Sequence, residues 1–304
     1  MPIRYRAVPV VAIAIAMLTT IAARGARAQR ATPIAAITCR AVALPAALPA
    51  LRWQGNAALK WATWPTVLGP QRVSVRIIAV DVDPARIALS LDLARHGNEL
   101  LPWSLNAAPA EALLALNAGQ FTDEGPWGWV VHRGREWQQP GNGPLSGAFV
   151  VDSSGRVHIA PARAIDSLRA AGRIREALQS FPLVLERGRP PRVLCDPTMA
   201  LARAHRDIRL ALGVRADGHV VIALSRYDGV GQFAERLPIG PTTMEMAEVM
   251  RWLGAVDALM LDGGLSAQLL LRDGAVTHRW DGLRRVPLAL VGRPAGRLAG
   301  RRIE

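Results

Sequence analysis

Residues 242–271 read TTMEMAEVMRWLGAVDALMLDGGLSAQLLL, and this stretch carries a helix start, a helix stop, a strand and the break that follows it. Thr242 with Glu245 three residues on forms a capping box, the signature of a helix N-terminus. Gly254 is the residue type that ends a helix. The helix therefore feeds an apolar run that reads as a buried strand and ends at Asp262. There Asp262, Gly263 and Gly264 interrupt the apolar character, which resumes at once. Two readings meet at this point. Asp and Gly both suit a tight turn. Glycines also let another group approach the backbone closely while a carboxylate points into a site.

Working outward, the rest of the chain reads mainly as strands. RVSVRIIAVDVDPARIALSLDLA (72–94) contains two strand-like runs around an Asp83-Pro84 turn, expected to form a hairpin or a strand pair. APAEALLALNAGQF (108–121) has helical spacing up to Leu116 and breaks at Asn117-Ala118-Gly119. GWVVHRGREWQQ turns at Arg133-Gly134 and GAFVVDSSGRVHIA at Asp152 to Gly155, both flanked by alternating apolar residues as in hairpins. IDSLRAAGRIREALQS (165–180) reads as a helix. FPLVLERGRP and LALGVRADGHVVIALS return to strands, the latter turning at Ala216-Asp217-Gly218. The pattern predicts an α+β fold, a mostly antiparallel sheet packed with a few helices in a single domain.

The N-terminus reads differently. MPIRYR is basic, AVPVVAIAIAMLTTIAA is almost wholly apolar, and Ala26-x-Ala28 is a small-residue cleavage site. This predicts a signal peptide over 1–28, a mature chain from Gln29 and a periplasmic or secreted location; the competing reading is an uncleaved anchor, which the shortness of the run, Pro9 and the cleavage site disfavour. No later run is long and apolar enough to span a bilayer. Residues 29–71, rich in Ala, Pro and Trp, read as a lead lying on the domain formed by 72–304. Removing Arg4, Arg6, Arg24 and Arg27 leaves 33 basic and 24 acidic residues, a net +9, with Lys60 the only lysine. The arginines are scattered and no nucleic-acid motif accompanies them, so an anionic glycan or sugar phosphate is the expected partner rather than nucleic acid. Cys39 and Cys195 are too far apart in sequence to reveal whether they pair.

Three places break the apolar pattern in a way chemistry uses. Asn117, followed by Gly119, leaves a predicted element, where an Asn serves as a cap or a ligand group. Arg209 enters an apolar strand, either on its solvent face or facing the core, where a charge requires a carboxylate or bound anion. Arg203, His205 and Arg206 extend a basic rim upstream. Asp262, backed by Gly263 and Gly264 with Ser266 beyond, suits a base or nucleophile beside an anion pocket. Trp127, Trp129 and Trp137 cluster near Asn117, and Trp127 and Trp129 share a strand face, as core residues or as a sugar platform. Six histidines form no HExxH and no paired His/Cys spacing, so no dedicated zinc site is indicated, and the sequence identifies no metal or cofactor. GxSxG, a P-loop and a post-strand GxGxxG are absent.

Taken in order, NAGQF, ALQSFPLVLERGR, RLALGV and LDGGLSAQL resemble the successive motifs of the phosphodiester glycosidase family over residues 72–292. The resemblance implies an exported hydrolase that cleaves between a sugar's anomeric carbon and a phosphodiester. Arg209 would bind phosphate and Asp262 would act as base or nucleophile. Gly119, Gly263 and Gly264 would shape the pocket, and Asn117 and Ser266 would hydrogen-bond sugar or phosphate. Glu124 and Trp127 would add substrate contacts, and Asp81, Asp123 or Glu124 would supply a second carboxylate. Ala118 and Gln120 stand where the family usually has a second glycine and an aromatic. Leu210 stands where a small hydroxyl residue is common, and Phe181 where a glycine precedes the proline. The alternative is a non-catalytic envelope protein of exopolysaccharide metabolism that binds an anionic glycan. A structural envelope protein with no small ligand would separate Arg209 from Asp262. The sugar, the aglycone and the oligomeric state are not encoded in any of these motifs.

Overall fold

The computed structural model describes residues 50–96, 99–195, 205–229 and 234–296. The expected leader, Cys39 and Arg203 lie outside them, so the cleavage site and a Cys39–Cys195 pairing do too. Among the described residues the fold is built from three large antiparallel sheets, with two two-stranded ribbons beside them. The largest has seven strands, in the order Gln54–Gly55, Leu59–Leu68, Val73–Val82, Val220–Tyr227, Leu210–Arg215, Ala255–Met260, Leu183–Leu185. A five-stranded sheet runs Arg135–Gln138, Val130–His132, Ile174–Ser180, Gly147–Asp152, Val157–Pro161. Another runs Val276–Trp280, Leu269–Asp273, Leu114–Asn117, Leu288–Pro294, Ile87–Leu93. The α+β reading with mostly antiparallel strands holds.

Alternation decides what each face of the large sheet covers. Ile78, Val80, Leu212, Ile222 and Leu259 point toward the two smaller sheets and share a core with their Leu116, Phe149, Leu178, Leu269 and Leu290. Ile77, Ala79, Ala211, Val221 and Ala258 point the other way and pack under Met246, Val249 and Met250 of the helix Thr243–Trp252. That helix opens as its sequence requires. Glu245 N–H donates to Thr242 Oγ1 (3.2 Å) and Thr242 N–H donates to the Glu245 carboxylate (2.9 Å). Thr242→Ala is therefore expected to cost about 1 kcal/mol of stability, seen as a lower urea midpoint with an unchanged slope.

Four expectations change. The lead is not peripheral throughout, because Leu59–Leu68 pairs with Val73–Val82 along its whole length and buries Trp61, Ala62 and Trp64. Only Gln54–Gly55 covers its outer side, and Pro65 is tolerated on so open an edge. The two runs around Asp83 are strands but not a hairpin: Val73–Val82 stays in the large sheet while Ile87–Leu93 pairs with Leu288–Pro294. Asp83 drives the switch, its carbonyl accepting from Arg86 and Ile87 N–H and its carboxylate from Ala85 N–H. The helix expected before Leu116 is instead the strand Leu114–Asn117, buried on both faces at the centre of its sheet. A short, wholly apolar run carries no period that separates strand from helix. Finally, 165–180 is helix only over Ile165–Ala171; Gly172 turns the chain left-handed (φ 64°) and Ile174–Ser180 is a strand.

Candidate functional site

The backbone around Asp262 gathers the four motifs. Asp262 N–H donates to Gly119 O (3.3 Å), Met260 N–H to Pro182 O (3.0 Å), Leu261 N–H to Leu210 O (2.9 Å) and Gly264 N–H to Ile208 O (2.8 Å). The segments 207–210 and 261–264 thus run side by side, and the two glycines are what permits it. A Cβ on Gly263 would lie 2.4 Å from the Ile208 carbonyl oxygen. Gly264 has φ +54°, and a Cβ there would meet the Asp207 carboxylate at 3.0 Å. The close approach therefore comes from the chain itself, from the segment that carries Arg209. Gly263→Ala is expected to force the segments apart and cost about 2–3 kcal/mol. Gly274→Ala, at positive φ but with open space around it, should lose only about 1 kcal/mol through conformational strain. Chemical denaturation of the pair separates the two effects.

Between these segments lies a cavity of about 260 Å³. Arg209, Asp262 and Gly263 line it together with Asp207, His205, Gln120, Phe181 and Thr243. Two candidates far apart in sequence therefore meet. The Arg209 guanidinium is held by backbone carbonyls, Nε donating to Pro241 O (3.2 Å) and Nη2 to His205 O (2.8 Å). Among the described residues it forms no ion pair with a carboxylate. Burial lowers its pKa, and the negative charge of Asp207 acts in the opposite direction. Burial likewise pushes the Asp262 carboxyl above the usual carboxylate range. The Ser266 hydrogen bond, the charge of Arg284 and the Gly263 N–H pull it back, and the charge of Asp207 adds to the rise.

Several expected substrate contacts are internal supports instead. Asn117 is fully buried, donating from Nδ2 to Asp262 O (2.8 Å) and accepting from Gln268 N–H (2.9 Å). Its amide is spent on fixing the turn, which is why it leaves the strand at that point. Ser266 is buried with its side chain on the Asp262 carboxyl. Gly119 contributes its carbonyl to Asp262 N–H. Glu124 is exposed at the turn of the small hairpin Gln120–Thr122/Gly125–Trp127, its N–H on Thr122 Oγ1. Trp127 stands edge-on to Phe181, with centroids 5.7 Å apart, and so backs a lining residue. Trp129 is core, and Trp137 is exposed on the second sheet.

None of the expected second carboxylates reaches the cavity. Asp81 is buried in the large sheet against His219 and Arg215, and Asp123 is fully exposed, 3.6 Å from Arg284. Arg206 binds Glu245 at the helix start through two bonds of 2.7 and 2.8 Å, so it serves the fold rather than the rim. The carboxylate that shares the cavity is Asp207, its Oδ1 accepting from Ile208 N–H (2.8 Å) and its Oδ2 lying 3.6 Å from His205 Nε2. One signal pointed to it. It stands two residues before Arg209, and such residues of an extended segment share a face. Gln120 and Phe181, two of the departures from the family motifs, also line the cavity, whereas Leu210 is core. Among the described residues no group of three or more His, Cys, Asp or Glu could hold a metal ion. No described helix is long and apolar enough to cross a membrane.

The chain is similar in fold to the catalytic domain of zebrafish N-acetylglucosamine-1-phosphodiester α-N-acetylglucosaminidase, auto-inhibited by its pro-peptide. The TM-score is 0.61 at 14% identity, over 79% of this chain and 86% of that one. A hypothetical protein from Synechocystis superposes with TM-score 0.53 at 17% identity, over 81% of this chain and 64% of that one. No curated protein sequence matches significantly. The sequence model of the phosphodiester glycosidases matches residues 110–292, well over half the chain, and takes in all four motifs that meet at Asp262; the protein belongs to the phosphodiester glycosidase family.

Proposed function

We propose that the protein hydrolyses a sugar-1-phosphodiester outside the cytoplasm, after loss of residues 1–28. The observation that carries this reading is the half-buried Arg209 guanidinium, which forms no ion pair among the described residues and lines the same cavity as Asp262. A desolvated cation without a carboxylate is costly, and a phosphodiester anion would offset that cost through the guanidinium donors left free. Asp262 takes a proton from the water that attacks the anomeric carbon. The bond from that carbon to the phosphate oxygen breaks, and its electron pair leaves with the phosphomonoester held at Arg209. A phosphate is already a good leaving group, so acid assistance matters less than charge placement. Asp207 supplies a second negative charge against the positive charge that develops on the sugar ring. The volume suits one sugar ring with its phosphate, and Phe181 forms an apolar wall for it.

The test is a panel of sugar-1-phosphodiesters and nucleotide sugars offered to purified Gln29–Glu304, with free sugar and phosphomonoester both quantified. Equimolar release is the expected result. Gln120 and Phe181, in place of the aromatic and glycine common in the family, favour a second reading in which the cavity binds an anionic glycan without cleaving it. Saturable binding with no sugar released from any panel member would establish that reading instead.

A further inference from the structure

One end of the five-stranded sheet that begins at Arg135–Gln138 collects arginines from three separate connections. Arg133 forms the Arg133-Gly134 turn, with φ values of 52° and 77°, and Arg135 pairs opposite His132 just beyond it. Arg156 closes the turn after Asp152, and Arg173 follows the left-handed Gly172. Backbone bonds draw the connections together, with Gly134 N–H on Arg175 O (2.8 Å) and Ser153 N–H on Arg173 O (3.0 Å). All four side chains are exposed. None forms an ion pair among the described residues, whereas exposed arginines such as Arg86, Arg163 and Arg169 do. Adjacent strands lie about 4.8 Å apart, so the row spans about 20 Å.

Among the described residues the carboxylates at this end form no ion pair with the row. Asp152 is used by its own turn, accepting from Ser154 Oγ, Ser154 N–H and Arg156 N–H. Glu176 is buried against His132, Leu91 N–H and Arg133 N–H, and Asp92 is half-buried, within reach of the Arg133 charge. Glu136 is held by Arg169 and the Trp129 indole. The Arg135 guanidinium lies 4.4 Å from the centroid of the exposed Trp137 ring, a stacking that orients it outward.

We infer that this arginine row is an exosite for an anionic polysaccharide. Guanidinium forks match carboxylate and phosphate oxygens, and an exposed indole beside them packs on the C–H face of a sugar ring. The choice of a carbohydrate over a nucleic acid rests on the carbohydrate chemistry proposed for the cavity. The strand Ile174–Ser180 separates the two places, with Arg173 at one end and Phe181 at the other. At about 3.3 Å per residue this is roughly 25 Å, so the exosite holds a polymer beyond its reacting unit.

Binding of fluorescent alginate, a polyuronate, tests the inference without turnover. The variant Arg133→Asn, Arg135→Gln, Arg156→Gln, Arg173→Gln should lose at least about tenfold in affinity at 0.15 M salt, with a shallower dependence of log K on log salt. Asn is chosen at 133 because it tolerates positive φ. A charge-matched control, with Arg52, Arg189, Arg192 and Arg236 each replaced by Gln, should lose less than about threefold, the smaller loss expected where only diffuse charge is removed. Equal losses would overturn the exosite in favour of diffuse charge, and so would an unchanged patch variant. Duplex DNA displacing alginate at lower concentration than alginate itself would overturn the carbohydrate assignment. Should the patch variant not fold, phenylglyoxal labelling of wild type decides: alginate must protect these four arginines ahead of Arg52, Arg189, Arg192 and Arg236. Hydrolysis of a small soluble phosphodiester should be the same in wild type and patch variant. Failure of wild type to hydrolyse anything would sink the reading of the cavity while leaving the alginate result to stand or fall by itself.

Discussion

Asp262→Asn is expected to lower turnover of a verified sugar-1-phosphodiester by at least about 100-fold with little change in ligand affinity. Asn keeps the shape and still accepts from Ser266 and the Gly263 N–H, the two hydrogen bonds that Asp262 now receives. What it loses is the proton acceptor. The same substitution should raise thermal stability at neutral pH, and the sign follows from the environment. Burial raises the folded-state pKa of Asp262 above its unfolded value, so the folded state binds the proton more tightly. Its contribution is most favourable at acid pH and becomes a penalty as pH rises from the ordinary carboxylate value through the raised one. Melting temperatures of wild type and Asp262→Asn should therefore converge at low pH and separate near neutrality, with the variant higher. Equal turnover of the two proteins would end the catalytic assignment, whatever the melting curves show.

Arg209→Lys should lower kcat/KM by about 10- to 100-fold, as expected for loss of about 1.5–3 kcal/mol of charged hydrogen bonding. Two of the guanidinium's five N–H groups are engaged by Pro241 O and His205 O, which fixes the plane of the fork. A lysine keeps the charge but not that plane, so it either satisfies the carbonyls or reaches the phosphate. Weaker binding and slower turnover should appear together. Steady-state kinetics in which only KM rises would mean that Arg209 binds the phosphate equally in ground and transition states. Unchanged kinetics would remove it from the site.

How much of this was legible in the chain depends on the range of the cause. The capping box at Thr242, the Arg133-Gly134 turn and the Asp152–Gly155 turn are local, each set by side chains within a few residues, and all appear as read. Order and spacing of the motifs likewise identified the family and singled out Arg209 and Asp262, because a charge in an apolar strand and a carboxylate before two glycines are conspicuous in one dimension. Leu114–Asn117 was misread as helix because four buried residues have no period; its strand state is imposed by Leu269–Asp273 and Leu288–Pro294 on either side. The two runs around Asp83 belong to different sheets for the same kind of reason, since pairing partners more than a hundred residues away outcompete the local hairpin. Tertiary structure alone decided which polar groups face the cavity. Asn117 was drawn inward because the turn at Asp262 needed a donor and Gln268 N–H needed an acceptor, while Asp207, inconspicuous in the sequence, was brought to the cavity by the backbone bonds between 208–210 and 261–264. Gly263 is small because that contact leaves no room for a Cβ, and Gly264 because the chain turns there at positive φ, the first a requirement that exists only once the two segments meet.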